Sequence, residues 1–319
     1  MARLRHLPPR AALWAALLIA PSIPGCGDDS SVTGPSVNVI WTRLTPSQTA
    51  GADFPDWRGD SIAFQLPVGK LDRIAIAAED GSAIEIQPES GADQDRAPRW
   101  VRGGLLVYSS DVAGSEDLWY RDLDANATRR LTADPGSEWS PAPRPGSGGL
   151  VYVEGLTPGQ GRLVLIPDTA AAPLGHLYLT PASLAAAEPD FSPGGDQICF
   201  SVTRPDGAVE IWRLSLTDTL AIQLTAAPPV LPPSDPQIDR SPRWSPDGAE
   251  ILMASNRGGR WGVWTVSPAG EAQGLRLIDY DDAGGETSHP CWSPDGRRIL
   301  LSTDRGGFRA LWSLSNFTP

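Results

Sequence analysis

Apolar residues in this chain come in short runs, each broken after a few positions by Gly, Pro, Asp or Ser. From residue 38 onward no run repeats at the 3.6-residue spacing of a helix, apart from a short turn-like stretch at 182–187. The runs therefore predict strands. Leu105-Leu106-Val107-Tyr108 and Ile299-Leu300-Leu301 are apolar at every position, which fits strands covered on both faces. Another set ends on tryptophan: Asp117-Leu118-Trp119, Glu210-Ile211-Trp212, Gly262-Val263-Trp264 and Ala310-Leu311-Trp312. Between the runs stand Ser-Pro-Asp-Gly and Arg-Gly-Gly, whose residues preset turn geometry: Pro fixes φ, Asp bonds the turn backbone and Gly takes the left-handed position.

These pieces recur as a unit. The clearest copies are Pro242-Arg243-Trp244-Ser245-Pro246-Asp247-Gly248 and Pro290-Cys291-Trp292-Ser293-Pro294-Asp295-Gly296, with a third at Pro189-Asp190-Phe191-Ser192-Pro193. Weaker copies begin at Pro55-Asp56-Trp57, Pro98-Arg99-Trp100 and Glu138-Trp139-Ser140-Pro141. Taking the aromatics at 57, 100, 139, 191, 244 and 292 as anchors gives spacings of 43, 39, 52, 53 and 48. That is the period of a propeller blade. Each unit reads as four strands, the fourth marked by Arg130-Leu131-Thr132, Gln223-Leu224-Thr225 or its counterpart Arg276-Leu277-Ile278. The sixth unit stops after its third strand, and the missing signature stands before the first unit, at Arg43-Leu44-Thr45. The expected fold is thus all-β, a six-bladed β-propeller over 38–319 with four-stranded blades, its last blade closed by the N-terminal strand at 38–45. Closure of this kind removes an exposed sheet edge.

The N-terminus reads as an address. Arg3, Arg5 and Arg10 precede the apolar run 11–20, which is too short to span a bilayer. Ile23-Pro24-Gly25-Cys26 resembles the bacterial lipobox. Residues 1–25 are expected to be a lipoprotein signal peptide, Cys26 the lipidated residue, and 27–37 a flexible tether. Residue 27 is Gly rather than Asp, which favours the outer membrane over the inner.

Charge narrows the partners. The net charge is −12, and without residues 1–25 it is near −15, with 23 basic against 38 acidic residues. Nucleic acid is not an expected partner, because phosphate binding needs a basic face. Contact with a membrane is expected through the anchor alone, and the chain is expected to be monomeric. Cys199 and Cys291 are expected to be buried thiols that act as small hydrophobes.

The Trp-Ser-Pro-Asp-Gly turn, followed by Ile-Leu, Arg-Gly-Gly and Leu-Trp, resembles the WD-like repeat of the TolB propeller family across 38–319. That resemblance implies a periplasmic propeller that docks protein or peptide partners. Similar propellers precede the hydrolase domain of prolyl oligopeptidases, and one forms a metal-dependent oligogalacturonate lyase. The chain has no Gly-x-Ser-x-Gly elbow. Beyond the leader its only histidines are His176 and His289, with no ligand-like spacing. No cofactor, metal or catalytic residue is expected. The leading expectation is a non-catalytic envelope scaffold; the alternative is a metal-dependent or carbohydrate-active, lyase-like enzyme. The residues entering the first strand of each blade are Asp56, Arg99, Glu138, Asp190, Arg243 and His289. They are the candidates for the channel mouth, with pairing between blades as the other reading. The Pro-rich segment at 226–238 is a second candidate surface, a spacer otherwise.

Overall fold

The computed structural model describes residues 39–46, 49–87, 94–155, 161–171, 174–227 and 235–317. The leader, Cys26, the tether, Asn38 and most of the Pro-rich segment lie outside the described residues.

Six four-stranded antiparallel sheets are present. In chain order within each blade, the strands are as follows. Blade 1 holds Asp53–Arg58, Ser61–Val68, Leu71–Ala78 and Glu85–Ile86, and blade 2 holds Asp95–Arg102, Leu105–Ser110, Asp117–Asp122 and Ala127–Arg130. Blade 3 holds Ser137–Pro143, Leu150–Gly155, Gly161–Ile166 and Leu177–Tyr178. Blade 4 holds Ala186–Phe191, Gln197–Thr203, Val209–Ser215 and Ala221–Gln223, and blade 5 holds Asp239–Trp244, Ile251–Ser255, Gly262–Val266 and Leu275–Tyr280. Blade 6 holds Thr287–Trp292, Ile299–Thr303 and Ala310–Ser315, and takes Ile40–Arg43 as its outer strand. The first strand of each blade packs beside the first strands of both neighbours, and that of blade 6 packs beside that of blade 1, so the blades form a ring.

The closing strand pairs Ile40 with Ser315 and Arg43 with Trp312. The ladder then runs on through Leu44, whose N–H donates to Leu311 O at 2.9 Å. Thr45 explains the Leu-Thr signature. Its Oγ1 accepts from the Leu311 N–H at 3.0 Å, as Thr132 does for Leu118 and Thr225 for Ile211, both at 2.9 Å. The hydroxyl continues the ladder where the outer strand turns away, so a buried N–H keeps its partner. Blade 3 carries the same device at Thr180, bonded to the Leu163 N–H at 2.8 Å. The residue before the Leu completes the motif: Arg43 and Arg130 each donate Nε–H to the carbonyl of their own Thr at 2.8 Å.

Six core clusters fill the six gaps between blades. In five of them the aromatic that ends the first strand wedges against the preceding blade. Trp57 meets Leu300 and Leu311 of blade 6, Phe191 meets Val151 and Val153 of blade 3, and Trp292 meets Leu252 and Val263 of blade 5. Each buried aromatic of this kind is worth about 3–5 kcal/mol against alanine. The wedge precedes the Ser-Pro-Asp-Gly turn because that turn locks itself. Ser293 Oγ donates to Asp295 Oδ1 at 2.6 Å and accepts from the Arg298 N–H at 2.9 Å, while Gly296 holds φ +70°.

Blade 3 departs from the expected phase. Its self-locking turn is Arg144–Gly149, where the Arg144 N–H donates to Gly149 O at 2.9 Å, as Ser293 does to Arg298. The wedge position is therefore Pro143, four residues beyond Trp139. The true anchors are 57, 100, 143, 191, 244 and 292, spaced 43, 43, 48, 53 and 48. Tyr120 and Tyr152 fill the gap that a tryptophan fills elsewhere. The helical turn expected at 182–187 is a 3-10 turn over Ala182–Leu184, after which Ala186 enters the first strand of blade 4.

Candidate functional site: the mouth of the axial channel

The innermost strands share one local feature. Each has a register shift across a residue followed by proline. The residue before the proline holds positive φ in all six: Phe54 at 50°, Ala97 at 49°, Ser140 at 50°, Glu188 at 52°, Ser241 at 54° and His289 at 47°. Proline belongs here because an innermost strand is a sheet edge and a bulge asks nothing of its missing N–H. The positive φ of a non-glycine residue costs of order 1 kcal/mol or more, and six copies of that cost stand around one axis. The bulge creates two levels: an upper one with the six residues before proline, and a lower one with the six after it. At strand rise they are roughly 6–7 Å apart.

The lower level is Asp56, Arg99, Ala142, Asp190, Arg243 and Cys291. Its four charged members form a closed cycle. Arg99 Nε lies 3.0 Å from Asp56 Oδ1, and Arg99 Nη2 donates to Asp190 Oδ1 at 2.5 Å. Arg243 Nη1 reaches the same two oxygens at 3.2 and 3.7 Å. Each aspartate also accepts a backbone N–H from the next blade, Trp100 at 2.8 Å and Trp244 at 2.9 Å. Burial works against the charge on Arg99, but Asp56 and Asp190 outweigh it and raise its pKa. The cycle spans the axis, with two formal charges of each sign. Beside it, burial pushes the Cys291 thiol up to about 12, and Cys199 is raised in the same way. Both thiols are buried and free, as expected.

The upper level holds a second network. His289 stacks on Phe54 with ring centroids 3.7 Å apart. Its Nδ1 lies 2.7 Å from Asp53 Oδ1, and its Nε2 lies 3.6 Å from Glu188 Oε1. Glu188 also accepts from the Ser241 N–H and Oγ–H, each at 2.8 Å, and from Ser201 Oγ at 2.9 Å. Asp53 is paired with Arg309 at 3.2 Å. Burial alone would discharge these groups. The partners win: His289 is raised above its ordinary 6.5, Glu188 is lowered to about 2 and Asp53 is lowered further. Between the levels is a depression with about 30 Å³ of free interior, walled by Phe54, Ala97, Pro98, Pro141, Pro189 and Pro242. That is room for a water molecule or two.

Five of the six expected mouth residues thus meet at the axis: Asp56, Arg99, Asp190 and Arg243 in one cycle, His289 one level above. The four face the axis and pair with one another between blades. Glu138 is the correction. Because blade 3 is phased four residues later, Glu138 precedes its bulge and is fully buried, accepting from Thr132 Oγ1 at 2.7 Å. Burial first, then Asp117, Asp134 and Glu154, raises its pKa to about 7. Its counterpart in blade 6 is Thr287. The sequence reading missed Asp53, Phe54, Glu188 and Arg309. The dipeptides Phe54-Pro55 and Glu188-Pro189, aligned with His289-Pro290, carried the signal for two of them.

No family model matches the chain. Among solved structures it is similar to TolB from Acinetobacter baumannii, at 18% identity and TM-score 0.60 over 82% of this chain; the chain spans 65% of that protein's length. It is also similar to a putative TolB from Agrobacterium tumefaciens, at 18% identity and TM-score 0.57, covering 69% of this chain and 73% of that one. What they share is the propeller. An oligogalacturonate lyase in complex with manganese is similar too, at 14% identity and TM-score 0.58, over 86% of this chain and 92% of that one. At these identities the likeness fixes the fold and leaves the chemistry to the site.

The lyase raises the question of a metal. At the axis both nitrogens of His289 are already engaged by carboxylates, Nδ1 by Asp53 and Nε2 by Glu188. Among the described residues, no group of three His, Cys, Asp or Glu is placed to hold a metal ion. The residues at the mouth do not fit one.

Proposed function

We propose that this chain is a non-catalytic, lipid-anchored envelope scaffold, favoured at the outer membrane, that binds a protein or peptide at the upper mouth of its propeller. The observation that carries the reading is the charge cycle of Asp56, Arg99, Asp190 and Arg243. It spans the axis beneath a depression with apolar walls and a rim of both charge signs. Such a surface suits a polar chain segment better than an ion or a sugar. Support for the envelope setting comes from the leader pattern ending at Cys26 and from the likeness to TolB propellers.

The test uses the full chain extracted in detergent as bait for envelope proteins. Phe54→Ala and Arg309→Ala at the mouth are expected to abolish capture of a partner that Arg297→Ala, on the turns at the far end of the axis, leaves bound. Equal capture by all four proteins rules out the mouth as the docking face. The lyase likeness supports a second reading, an enzyme acting on acidic sugars. Stoichiometric manganese in the purified chain, with release of unsaturated product from oligogalacturonate, would establish it over the scaffold.

A further inference from the structure

The depression above the charge cycle is lined by only two of the four cycle members. Arg99 and Arg243 border it; Asp56 and Asp190 do not. The two arginines come from blades 2 and 5, opposite each other in the ring. Their guanidinium groups use part of their donors on the aspartates. Among the described residues, Arg99 Nη1 and Arg243 Nη2 donate no hydrogen bond. Both side chains are about one-seventh exposed, at 15% and 14%, and both residues line the depression.

The two groups already stand close enough for one carboxylate oxygen to bridge them. A single oxygen, Asp56 Oδ1, lies 3.0 Å from Arg99 and 3.2 Å from Arg243. We propose that the depression seats the C-terminal carboxylate of a peptide chain, placed over the two guanidinium groups of Arg99 and Arg243. The inference rests on the scaffold reading and names the chemistry its partner would offer.

Three observations select this occupant. An amine would need acceptors, and the base offers donors from Arg99 and Arg243, while the carboxylate in the lining, Glu188, is engaged by Ser201, Ser241 and His289. The rim does not repel an anion strongly, since Glu188 is engaged by Ser201, Ser241 and His289, and Asp53 by His289 and Arg309. The free interior of about 30 Å³ admits a carboxylate while its proline walls exclude anything as broad as a sugar ring. Guanidinium–carboxylate contacts are charge-assisted and directional, so the charged terminus should matter more than the residues before it.

The experiment compares acetyl-trialanine bearing a free carboxylate with its C-terminal amide and with digalacturonate, each titrated into the full chain and followed by saturation-transfer NMR. The free acid is expected to bind at least about tenfold more tightly than the amide. Digalacturonate is expected to do no better than the amide. Arg243→Lys keeps the charge of the cycle but loses the fork; it is expected to weaken the acid and leave the amide unchanged, with its melting temperature confirming the fold. Arg297→Gln, away from the mouth, is expected to change nothing. Equal binding of acid and amide, no saturable binding of the acid, or preference for digalacturonate would overturn the proposal. A partner captured at the mouth with full strength after its C-terminus is amidated would leave the scaffold reading standing and this inference refuted.

Discussion

The two halves of the ring agree at one depth and differ at the next. At the lower level, blades 1 to 3 present Asp56, Arg99 and Ala142, and blades 4 to 6 present Asp190, Arg243 and Cys291. The order acid, arginine, small residue repeats. Each aspartate even accepts from the N–H of the following blade's tryptophan. One level up the halves part: Phe54, Ala97 and Ser140 stand opposite Glu188, Ser241 and His289. The deep level is where side chains of different first strands meet and pair across the axis, so its residues answer to the ring. At the upper level blades 1 and 2 present the apolar Phe54 and Ala97, while all three residues of the second half are polar. A depression with a greasy wall and a charged wall follows from that divergence.

The strongest way to break the comparison is to remove an acid from the deep level. Asp190→Ala leaves two largely enclosed guanidinium groups short of a partner and is expected to cost about 3 kcal/mol in guanidinium chloride unfolding. Asp56→Ala should cost the same, because the two residues have the same partners. A difference of more than about 2 kcal/mol between them would show that the halves are not equivalent.

The next effect has the opposite sign. Glu138 stands where the second half has Thr287, and its folded pKa of about 7 exceeds the unfolded value near 4.5. The folded chain thus holds a proton that the unfolded chain has lost, so stability falls as pH rises from 4.5 through 7. Glu138→Gln is expected to be more stable than the parent by roughly 2–3 kcal/mol at pH 8, and to lose that advantage near pH 4.5. A difference between the two proteins that does not vary with pH would remove Glu138 as the cause.

The smallest effect sharpens the upper level. His289 has a folded pKa above its unfolded 6.5, so its stabilising charge is fully present below 6.5 and is lost as pH rises through the folded pKa. His289→Gln should cost about 1–2 kcal/mol at pH 6 and less at pH 9. A cost that stays the same at both pH values would mean that the stack on Phe54, not the charge, holds the ring in place.

The fold was legible because its signals have single physical causes. Ser-Pro-Asp-Gly makes one turn, Leu-Thr carries the hydroxyl that ends the ladder, and a missing signature at the C-terminal end with a spare one at 43–45 leaves one arrangement. Blade 3 was misread because Trp139-Ser140-Pro141 imitates the start of that turn, while the real bulge is Ser140-Pro141 and the real turn is Arg144–Gly149. Its Leu179-Thr180 was passed over, hidden behind an insertion. The mouth was half legible. Asp56, Arg99, Asp190 and Arg243 follow the proline and could be found by repeat alignment. The upper level depends on a left-handed backbone at Phe54, Ala97, Glu188 and His289, and no propensity rule assigns that conformation to those residue types before proline.

The clasp at Ile40–Arg43 also sets the order of assembly. It is the first strand of the fold to leave the ribosome and the last to find its place, because its partner, Ala310–Ser315, is made some 270 residues later. Five blades can form from neighbouring segments as they appear, but the sixth must wait for the whole chain. Until then the outward hydrogen bonds of Leu311 and Ser313 stand open, and a polypeptide cut short by even its final strand would be a ring that never shuts.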